Sequence, residues 1–182
     1  MPFPKDHKYT ADEFLKMTFD DSSERYELLN GEILSQAAPS TAHQRILGRL
    51  FRKIADFIDS NNGRCEAFTA PYDIKIDDNN VVQPDIAVIC DPSKIDEKRS
   101  CGAPDLIIEV TSSNYGRDYV DKLEIYRRAG VREYWIVDPL YERVMVYFFE
   151  KSDFPNIYTF DSAVPVNIYD GRLTINFKDI VK

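Results

Sequence analysis

Apolar residues follow two spacings along this chain, helical in three segments and alternating or continuous in the others. In chain order, these spacings predict a helix from Thr10 to about Thr18, a hairpin over 25–34, a helix over 41–60, strands over 65–69, 72–76, 82–90 and up to Glu109, a helix over 117–129, and strands over 133–138 and 143–149. The last part, 156–182, alternates apolar and polar residues and predicts a hairpin or an added edge strand. The succession of strand, helix and strand around 117–129 indicates a crossover unit.

Turn and cap residues mark the ends of several of these elements. They are Thr10 with Glu13 and Thr41 with Gln44 at capping-box spacing, Asn30-Gly31 as a hairpin turn, and Gly130 as a helix stop. Pro84 cannot donate a hydrogen bond to a sheet. It therefore predicts a sheet edge or a bulge next to Asp85.

Size and charge limit the possible classes of protein. The chain has 182 residues, 43% of them hydrophobic, which allows one sizeable core, and we predict a single domain over 1–182. Its net charge of −8 opposes general attraction to a polyanion, so nucleic-acid binding requires a local basic patch or a metal ion. The outer face of the long helix carries a basic stripe formed by Arg45, Arg49, Arg52 and Lys53. A solvated helix face explains this stripe more simply than a surface that contacts phosphates.

The three cysteines, Cys65, Cys90 and Cys101, are an odd number and show no CxxC spacing. We therefore predict neither a disulfide framework nor a zinc knuckle, and we expect a reducing, cytoplasmic setting. The N-terminus lacks the apolar segment of a signal peptide, and no apolar run is long enough to span a bilayer. We expect no membrane partner.

Two acidic residues, Asp85 and Glu109, lie in the most strand-like runs of the sequence. A lone ionised acid in such a run is unfavourable unless it has a partner. Alternation places Glu109 and Thr111 on one strand face and their apolar neighbours on the other, so Glu109 can approach Asp85 on an adjacent strand. Two close carboxylates favour a cation, and Mg²⁺ (or Mn²⁺) held by one or two carboxylates and water meets this requirement.

The helix after Glu109 presents Asp118, Lys122 and Tyr126 on one face, at positions i, i+4 and i+8. A lysine near a metal-bound water can orient that water or stabilise charge on a phosphate, so Lys122 is a candidate catalytic residue. A surface ion pair between Asp118 and Lys122 explains the same spacing without any catalytic role.

Several further polar residues are candidates for lining the same site. They are Glu27, His43, Gln83, Thr111, Tyr126 and Tyr134. Each of the first two has an ordinary explanation, because hairpin glutamates are usually solvated and a lone histidine usually caps or packs a helix. A strand tyrosine such as Tyr134 is usually a core residue. No glycine-rich phosphate loop, nucleophile elbow or HExxH sequence is present, so nucleotide-cofactor and nucleophilic enzymes are not indicated.

Taken together, these motifs resemble the Uma-two (Uma2) family, which is assigned to the PD-(D/E)XK nuclease superfamily. The resemblance is carried by Pro84-Asp85, by Glu109-Val110-Thr111 after an apolar strand, by Lys122 and Tyr126, by the run 130–139, by the run 26–32, and by the helix that begins near His43. It covers almost the whole chain. It implies a restriction-endonuclease-like α/β fold with helices flanking a mixed central β-sheet, to which the pattern adds an N-terminal hairpin and a C-terminal β extension.

The resemblance also implies roles for individual residues. Asp85 and Glu109 correspond to the metal ligands for Mg²⁺ or Mn²⁺. The superfamily pattern has a lysine two residues after the glutamate, where this chain has Thr111, and the resemblance transfers the basic role to Lys122 on the next helix.

Three functions follow as hypotheses. The first is a metal-dependent endonuclease that hydrolyses phosphodiester bonds of nucleic acid, DNA more than RNA, and that forms a homodimer. The second is a nuclease-fold protein without catalytic activity that serves as a binding or assembly module, which the acidic charge and Thr111 favour. The third is a metal-dependent hydrolase of a small phosphorylated molecule.

Overall fold

The computed structural model describes residues 3–4, 7–19, 25–111 and 117–182, apart from the side chains of Arg117 and Asp118. Its helices are α1 (Ala11–Phe14), α2 (Thr41–Ser60), α3 (Lys122–Ala129) and α4 (Phe177–Ile180). Its strands are β1 (Arg25–Leu29), β2 (Glu32–Gln36), β3 (Glu66–Thr69), β4 (Ile74–Asp77), β5 (Asn80–Val82), β6 (Ile86–Ile89), β7 (Ser100–Cys101), β8 (Leu106–Val110), β9 (Glu133–Asp138), β10 (Arg143–Phe148), β11 (Asn156–Thr159), β12 (Ala163–Val166) and β13 (Leu173–Asn176). A π-helical turn, Arg117–Asp121, leads directly into α3, and short 3₁₀ turns cover Pro92–Lys94 and Asn167–Tyr169.

A six-stranded mixed sheet lies at the centre of the fold, in the order β11-β10-β9-β8-β6-β3. β8 and β9 are parallel and α3 lies between them in the chain, as the predicted crossover requires, whereas the other neighbouring strands are antiparallel. A five-stranded sheet has the order β2-β1-β5-β4-β7, and β12 and β13 form a C-terminal hairpin. The predicted α/β fold is confirmed, with both its N-terminal hairpin and its C-terminal β extension.

Each face of the six-stranded sheet packs against a separate apolar core. Alternation along β8 sends Leu106, Ile108 and Val110 to one core and Ile107 to the other. The first core lies under α2, whose inward residues at helical spacing are Ile46, Leu50, Ile54 and Ile58. Burial of one such side chain contributes roughly 1.5–3 kcal/mol, so this stripe holds α2 on the sheet.

The second core lies between the six-stranded sheet, α3 and the five-stranded sheet. It contains Ile125 and Tyr126 of α3 together with Ile107 and Tyr134 of the central sheet. Glu109 shares a strand face with Ile107, so its carboxylate points toward this apolar core. A charge placed there needs partners, and the same core brings them close.

Three of the turn and cap predictions are confirmed by backbone geometry. Asn30 and Gly31 have φ angles of 51° and 79°, the left-handed pair that a tight hairpin needs. Gly130 ends α3 with a φ of 85°, which glycine adopts without steric cost. The capping box of Thr10 and Glu13 is also present.

Two helix boundaries were predicted wrongly. The residue that caps α2 is Ser40 rather than Thr41, because the Ser40 hydroxyl accepts the backbone N–H of His43 at 3.2 Å. The first helix ends at Phe14, earlier than the predicted Thr18, although Leu15 and Met17 still pack against the core as predicted. Both errors fall at helix ends, where several adjacent polar residues can serve as a cap.

The single strand predicted over 82–90 is two strands in different sheets. β5 belongs to the five-stranded sheet and β6 to the six-stranded sheet. Gln83, Pro84 and Asp85 connect them, and Pro84 interrupts the pairing because it has no N–H to donate. Asp85 therefore lies at the beginning of β6, where the two sheets meet.

The prediction that the cysteines form no disulfide is wrong for one pair. In the antiparallel β3–β6 pair, Glu66 lies opposite Ile89, so Cys65 and Cys90, one residue further along, also lie opposite each other. Their sulfur atoms are bonded. Cys101 is a free, exposed thiol. The expected cytoplasmic setting therefore loses the support that it drew from the cysteines, because disulfides are typical of oxidising compartments. Among the described helices, none is both long and apolar enough to cross a membrane.

Glu133 links the C-terminal β extension to the central sheet. Its buried carboxylate accepts hydrogen bonds from Trp135 Nε1 at 2.7 Å, Asn167 Nδ2 at 2.8 Å and the backbone N–H of Ile168 at 2.9 Å. Burial raises the pKa of Glu133, and these donors partly offset that rise. The Glu133 carboxylate thus accepts three N–H groups, two of which belong to the segment before the last strand, and so it holds the extension on the central sheet.

We expect Glu133→Gln to lower the free energy of unfolding by about 2 kcal/mol, because the new NH₂ group opposes an N–H donor and leaves it without a partner. Urea denaturation followed by tryptophan fluorescence measures the change. Glu97→Gln, at an exposed position, is the control. Equal stability of the two variants would show that the carboxylate is not needed as an acceptor.

Candidate active site

Five buried charged or titratable side chains meet where the two sheets, α2 and α3 come together. They are Glu27 of β1, His43 of α2, Asp85 before β6, Glu109 of β8 and Lys122 of α3. Asp85, Glu109 and Lys122 were predicted as the main site residues, whereas Glu27 and His43 were predicted only as further candidates. None of the five is more than 9% exposed, which is unusual for charged side chains without a shared purpose.

Lys122 lies between two glutamates. Its Nζ is 2.9 Å from Glu109 Oε1 and 3.0 Å from Glu27 Oε1. Glu27 is held in place by the backbone N–H of Gln83, which donates to the same Oε1 at 2.9 Å. The lysine therefore bridges the hairpin and the central sheet, and its ammonium group compensates the desolvation of both acids. Lys122, a predicted site residue, thus lies beside Glu109.

Tyr126 lies one helical turn after Lys122 and contacts the same glutamate. Its hydroxyl donates a hydrogen bond to Glu109 Oε1 at 2.9 Å. Complete burial raises the pKa of Tyr126 well above its ordinary value, and the nearby charges of Glu109 and Glu27 add to the rise. The tyrosine therefore keeps its proton and acts as a permanent donor, which helps to fix the orientation of the Glu109 carboxylate.

Asp85 is held from two sides through a single oxygen. Its Oδ2 accepts the backbone N–H of Val110 at 2.8 Å and lies 2.9 Å from His43 Nε2, so the imidazole donates its Nε2 proton. The first contact places Asp85 beside the residue that follows Glu109. Within the described part of the chain, neither contact involves Asp85 Oδ1. That oxygen is therefore available to a ligand.

The balance of charge in this cluster is negative. Glu27, Asp85 and Glu109 contribute three carboxylates, against one ammonium group on Lys122 and an imidazole on His43. Among the residues that the structure describes, the acids of this cluster therefore outnumber its basic side chains. A buried excess of negative charge is unfavourable, so the cluster favours a further cation.

The donor set fits a hard divalent metal that keeps part of its water shell. Among the described residues, no three His, Cys, Asp or Glu side chains form a group that could hold a metal ion by themselves. Mg²⁺ rarely uses such a complete protein cage and is typically bound by one or two carboxylates, with water and substrate phosphate as its other ligands. Asp85 and Glu109 provide carboxylates of that kind.

The remaining predicted residues take different places. Gln83 supports Glu27 through its backbone, and its side-chain Nε2 donates to Asp73 Oδ1 at 2.8 Å. Thr111 is buried directly after β8, and its Oγ1 has no hydrogen-bond partner among the described residues. Tyr134 is completely buried and packs edge to face on Tyr126, so the suggestion that it contacts a substrate is wrong.

Two other expectations concern charged residues around the site. The alternative surface pairing of Lys122 with Asp118 concerns a side chain outside the described part of the chain, but Lys122 itself is buried. From the sequence, Glu27 was treated as a solvated hairpin residue, although the alternation of residues along β1 indicates that it is buried. In β1, Glu27 alternates onto the same face as Leu29, which is a residue of the second core.

Comparisons with known proteins agree with this fold. A protein from Anabaena variabilis ATCC 29413, solved as a crystal structure and described as "a putative nuclease belonging to DUF820", superimposes with a TM-score of 0.77. The match covers 94% of this chain and 97% of the other, at 23% sequence identity, and it establishes a shared fold. The restriction-endonuclease-like architecture predicted from the sequence is therefore confirmed.

The family follows from the sequence itself. Residues 11–164 match the family model Uma2, described as "Putative restriction endonuclease", and the chain belongs to this family. A protein of Synechocystis sp., the uncharacterised slr1290, is 27% identical over 140 residues. That match covers 76% of this chain and 66% of the relative, so this chain spans somewhat less than two thirds of its length. The resemblance drawn from the motifs is confirmed.

Proposed function

We propose that this protein is a metal-dependent nuclease that hydrolyses phosphodiester bonds of nucleic acid. The observation that carries the proposal is that buried carboxylates outnumber buried cations among the described residues of the cluster around Asp85 and Glu109. Membership of the family described as "Putative restriction endonuclease" supports the reaction class. DNA rather than RNA as the preferred substrate, a homodimeric state and a cytoplasmic location stay predictions from the sequence.

Asp85 and Glu109 are the residues that would hold Mg²⁺ or Mn²⁺. When bound, such an ion would supply a water molecule activated for attack and would stabilise negative charge on the phosphoryl group. The protein contributes fixed orientations for both carboxylates. Val110 and His43 fix Asp85, while Lys122 and Tyr126 fix Glu109.

Lys122 has two tasks in this proposal. Its ammonium group contacts both glutamates and offsets the cost of burying these acids in an apolar core. It also provides a positive charge beside the acids, where charge develops on a phosphate during hydrolysis. Glu27 is the second carboxylate that holds the lysine in this position.

One observation favours a second candidate, a nuclease-fold module that binds but does not cleave. The acids already have protein partners, since Lys122 and Tyr126 both engage Glu109 Oε1 and His43 engages Asp85. A cluster whose polar groups are satisfied in this way is stable without a metal ion. Metal binding therefore separates the two candidates.

Isothermal titration calorimetry with Mn²⁺ tests the proposal without knowledge of the substrate. We expect saturable binding by the wild type and at least tenfold weaker binding by Glu109→Gln, because even the outer partners of metal ligands contribute about 10- to 100-fold. Asp59→Asn removes an exposed carboxylate of α2 and is the control. Absence of binding by the wild type, with and without an added oligonucleotide, would favour the module without activity.

A further inference from the structure

A groove with a volume of about 760 Å³ opens on the surface beside the first turns of α2. Its other walls come from the turn between β9 and β10, from the segment before β12, and from α4. Its basic and aromatic side chains are Arg45, Arg49, Tyr141, Phe160, Lys178 and Lys182. None of these residues takes part in the cluster around Glu109.

The groove adjoins the candidate active site. Ala42, which lines the groove, immediately precedes His43, which contacts Asp85. Pro139, on another wall, follows the end of β9, and β9 runs parallel to β8, the strand that carries Glu109 near its own end. The groove therefore lies on the α2 face of the central sheet, next to the first turn that holds Asp85 through His43.

Cations predominate in the groove, although the protein as a whole is acidic. Arg45 is exposed and makes no ion pair with any residue in the described part of the chain. Lys178 is 3.5 Å from Asp161, and Lys182 is paired with Asp179. Arg49 donates to the carbonyl oxygen of Ile180 at 2.7 Å. The opposing carboxylates that line the groove are Glu142 and Asp161. Against a net charge of −8, this local balance complements phosphate groups.

Tyr141 presents an aromatic ring at the rim. It is 64% exposed, yet its position is fixed by neighbouring groups. The fully buried carboxylate of Asp138 accepts its backbone N–H at 3.2 Å, and the Arg143 guanidinium lies 4.9 Å from the centre of its ring. Tyr119 holds Asp138 in turn through a 2.6 Å hydrogen bond. An aromatic ring is thus exposed to water on a turn whose backbone is held by Asp138, with one cation against the ring.

We propose that this groove binds single-stranded nucleic acid, with a base stacked on Tyr141 and phosphates near Arg45 and Lys178, and delivers the strand to the acids. This inference rests on the proposed nuclease function and adds its substrate class. A fixed, exposed aromatic ring beside cations is the arrangement that binds unpaired bases, whereas a duplex stacks its bases inside and presents only phosphates and groove edges.

Fluorescence anisotropy tests the groove in EDTA, where metal-dependent cleavage is prevented. The probes are fluorescein-labelled oligothymidylate, oligouridylate of the same length, and a DNA duplex of that length. We expect Tyr141→Ala to weaken binding to the single strands about tenfold, and Tyr141→Phe to bind like the wild type. Arg45→Ala should lower the slope of log K against log salt by about one unit.

Two matched variants control for loss of an aromatic ring or a charge elsewhere. Phe154→Ala removes a ring that is 82% exposed, and Arg64→Ala removes a cation after the far end of α2. Both should bind as the wild type does. Binding of oligouridylate as strong as that of oligothymidylate supports recognition through bases and phosphates alone. Duplex binding as tight as single-strand binding, or groove variants that match these controls, would overturn the inference.

Cleavage assays on the same variants separate this inference from the proposed function. Groove-dependent binding by a wild type that cleaves no nucleic acid would refute the nuclease proposal and retain the groove. Cleavage that Glu109→Gln abolishes, but that Tyr141→Ala and Arg45→Ala leave unchanged, would refute the groove and retain the nuclease.

Discussion

Lys122→Met is expected to lower the free energy of unfolding by about 3–5 kcal/mol, the largest stability effect that we predict for a single substitution. The ammonium group lies within 3.0 Å of both Glu27 and Glu109, and its removal leaves two carboxylates facing each other with little access to water. Methionine keeps most of the side-chain volume, so the loss measures charge rather than a cavity. Urea denaturation in EDTA is the measurement.

Two further variants give this prediction its control. Lys53→Met removes an exposed lysine of α2 and should change stability by less than about 0.5 kcal/mol. The double variant Lys122→Met with Glu109→Gln should recover part of the loss, because it leaves only Glu27 charged at that point. A double variant less stable than Lys122→Met would contradict this explanation, since repulsion between the two acids would then not be the cause.

The parts of the site that depend on local spacing could be predicted from the sequence. Helical spacing placed Lys122 and Tyr126 on one face of α3, strand alternation gave the direction of Glu109, and the resemblance linked Lys122 to the acids. The turn at Asn30-Gly31 and the helix end at Gly130 followed from backbone conformations that few residues adopt. These features depend on residues that are close together in the sequence, so they can be recognised from the sequence alone.

The parts that depend on packing between distant segments could not be predicted in this way. Glu27 meets Lys122 only because β1 pairs with β5 and the next residues, starting at Gln83, leave that sheet. The Cys65–Cys90 bond likewise requires the pairing of β3 with β6, and no sequence spacing reports that register. The break at Pro84 was expected, but nothing local indicates that the chain changes sheets there.

The prediction of which groups compensate the charge of the acids was incomplete. It indicated two carboxylates whose mutual repulsion demands a metal ion. In the structure, protein donors already hold each acid, Lys122 and Tyr126 on Glu109 and His43 on Asp85, and the excess charge comes from Glu27 as the third carboxylate. In our proposal, the metal ion therefore responds to the charge of the whole cluster rather than to that of one pair.

Asp85→Asn and Glu109→Gln are each expected to reduce the rate of nucleic-acid cleavage by about a thousandfold or more, because loss of a metal ligand removes several kcal/mol of transition-state stabilisation. Both variants should fold. Asparagine can still accept the Val110 N–H, and glutamine can still accept from Lys122 and Tyr126, which share one oxygen of Glu109. Cleavage of labelled single-stranded DNA, duplex DNA and RNA, with Mg²⁺ or Mn²⁺, measures the effect.

The controls must separate loss of chemistry from loss of structure or from a contaminating nuclease. Asp59→Asn, purified in the same way, should cleave at the wild-type rate, since its carboxylate is exposed on α2. Thermal unfolding should show that Asp85→Asn and Glu109→Gln retain their structure. Cleavage by folded Asp85→Asn and Glu109→Gln at the rate of the wild type would mean that these acids serve structure alone, and the cluster around Lys122 would then be a buried polar network without a catalytic role.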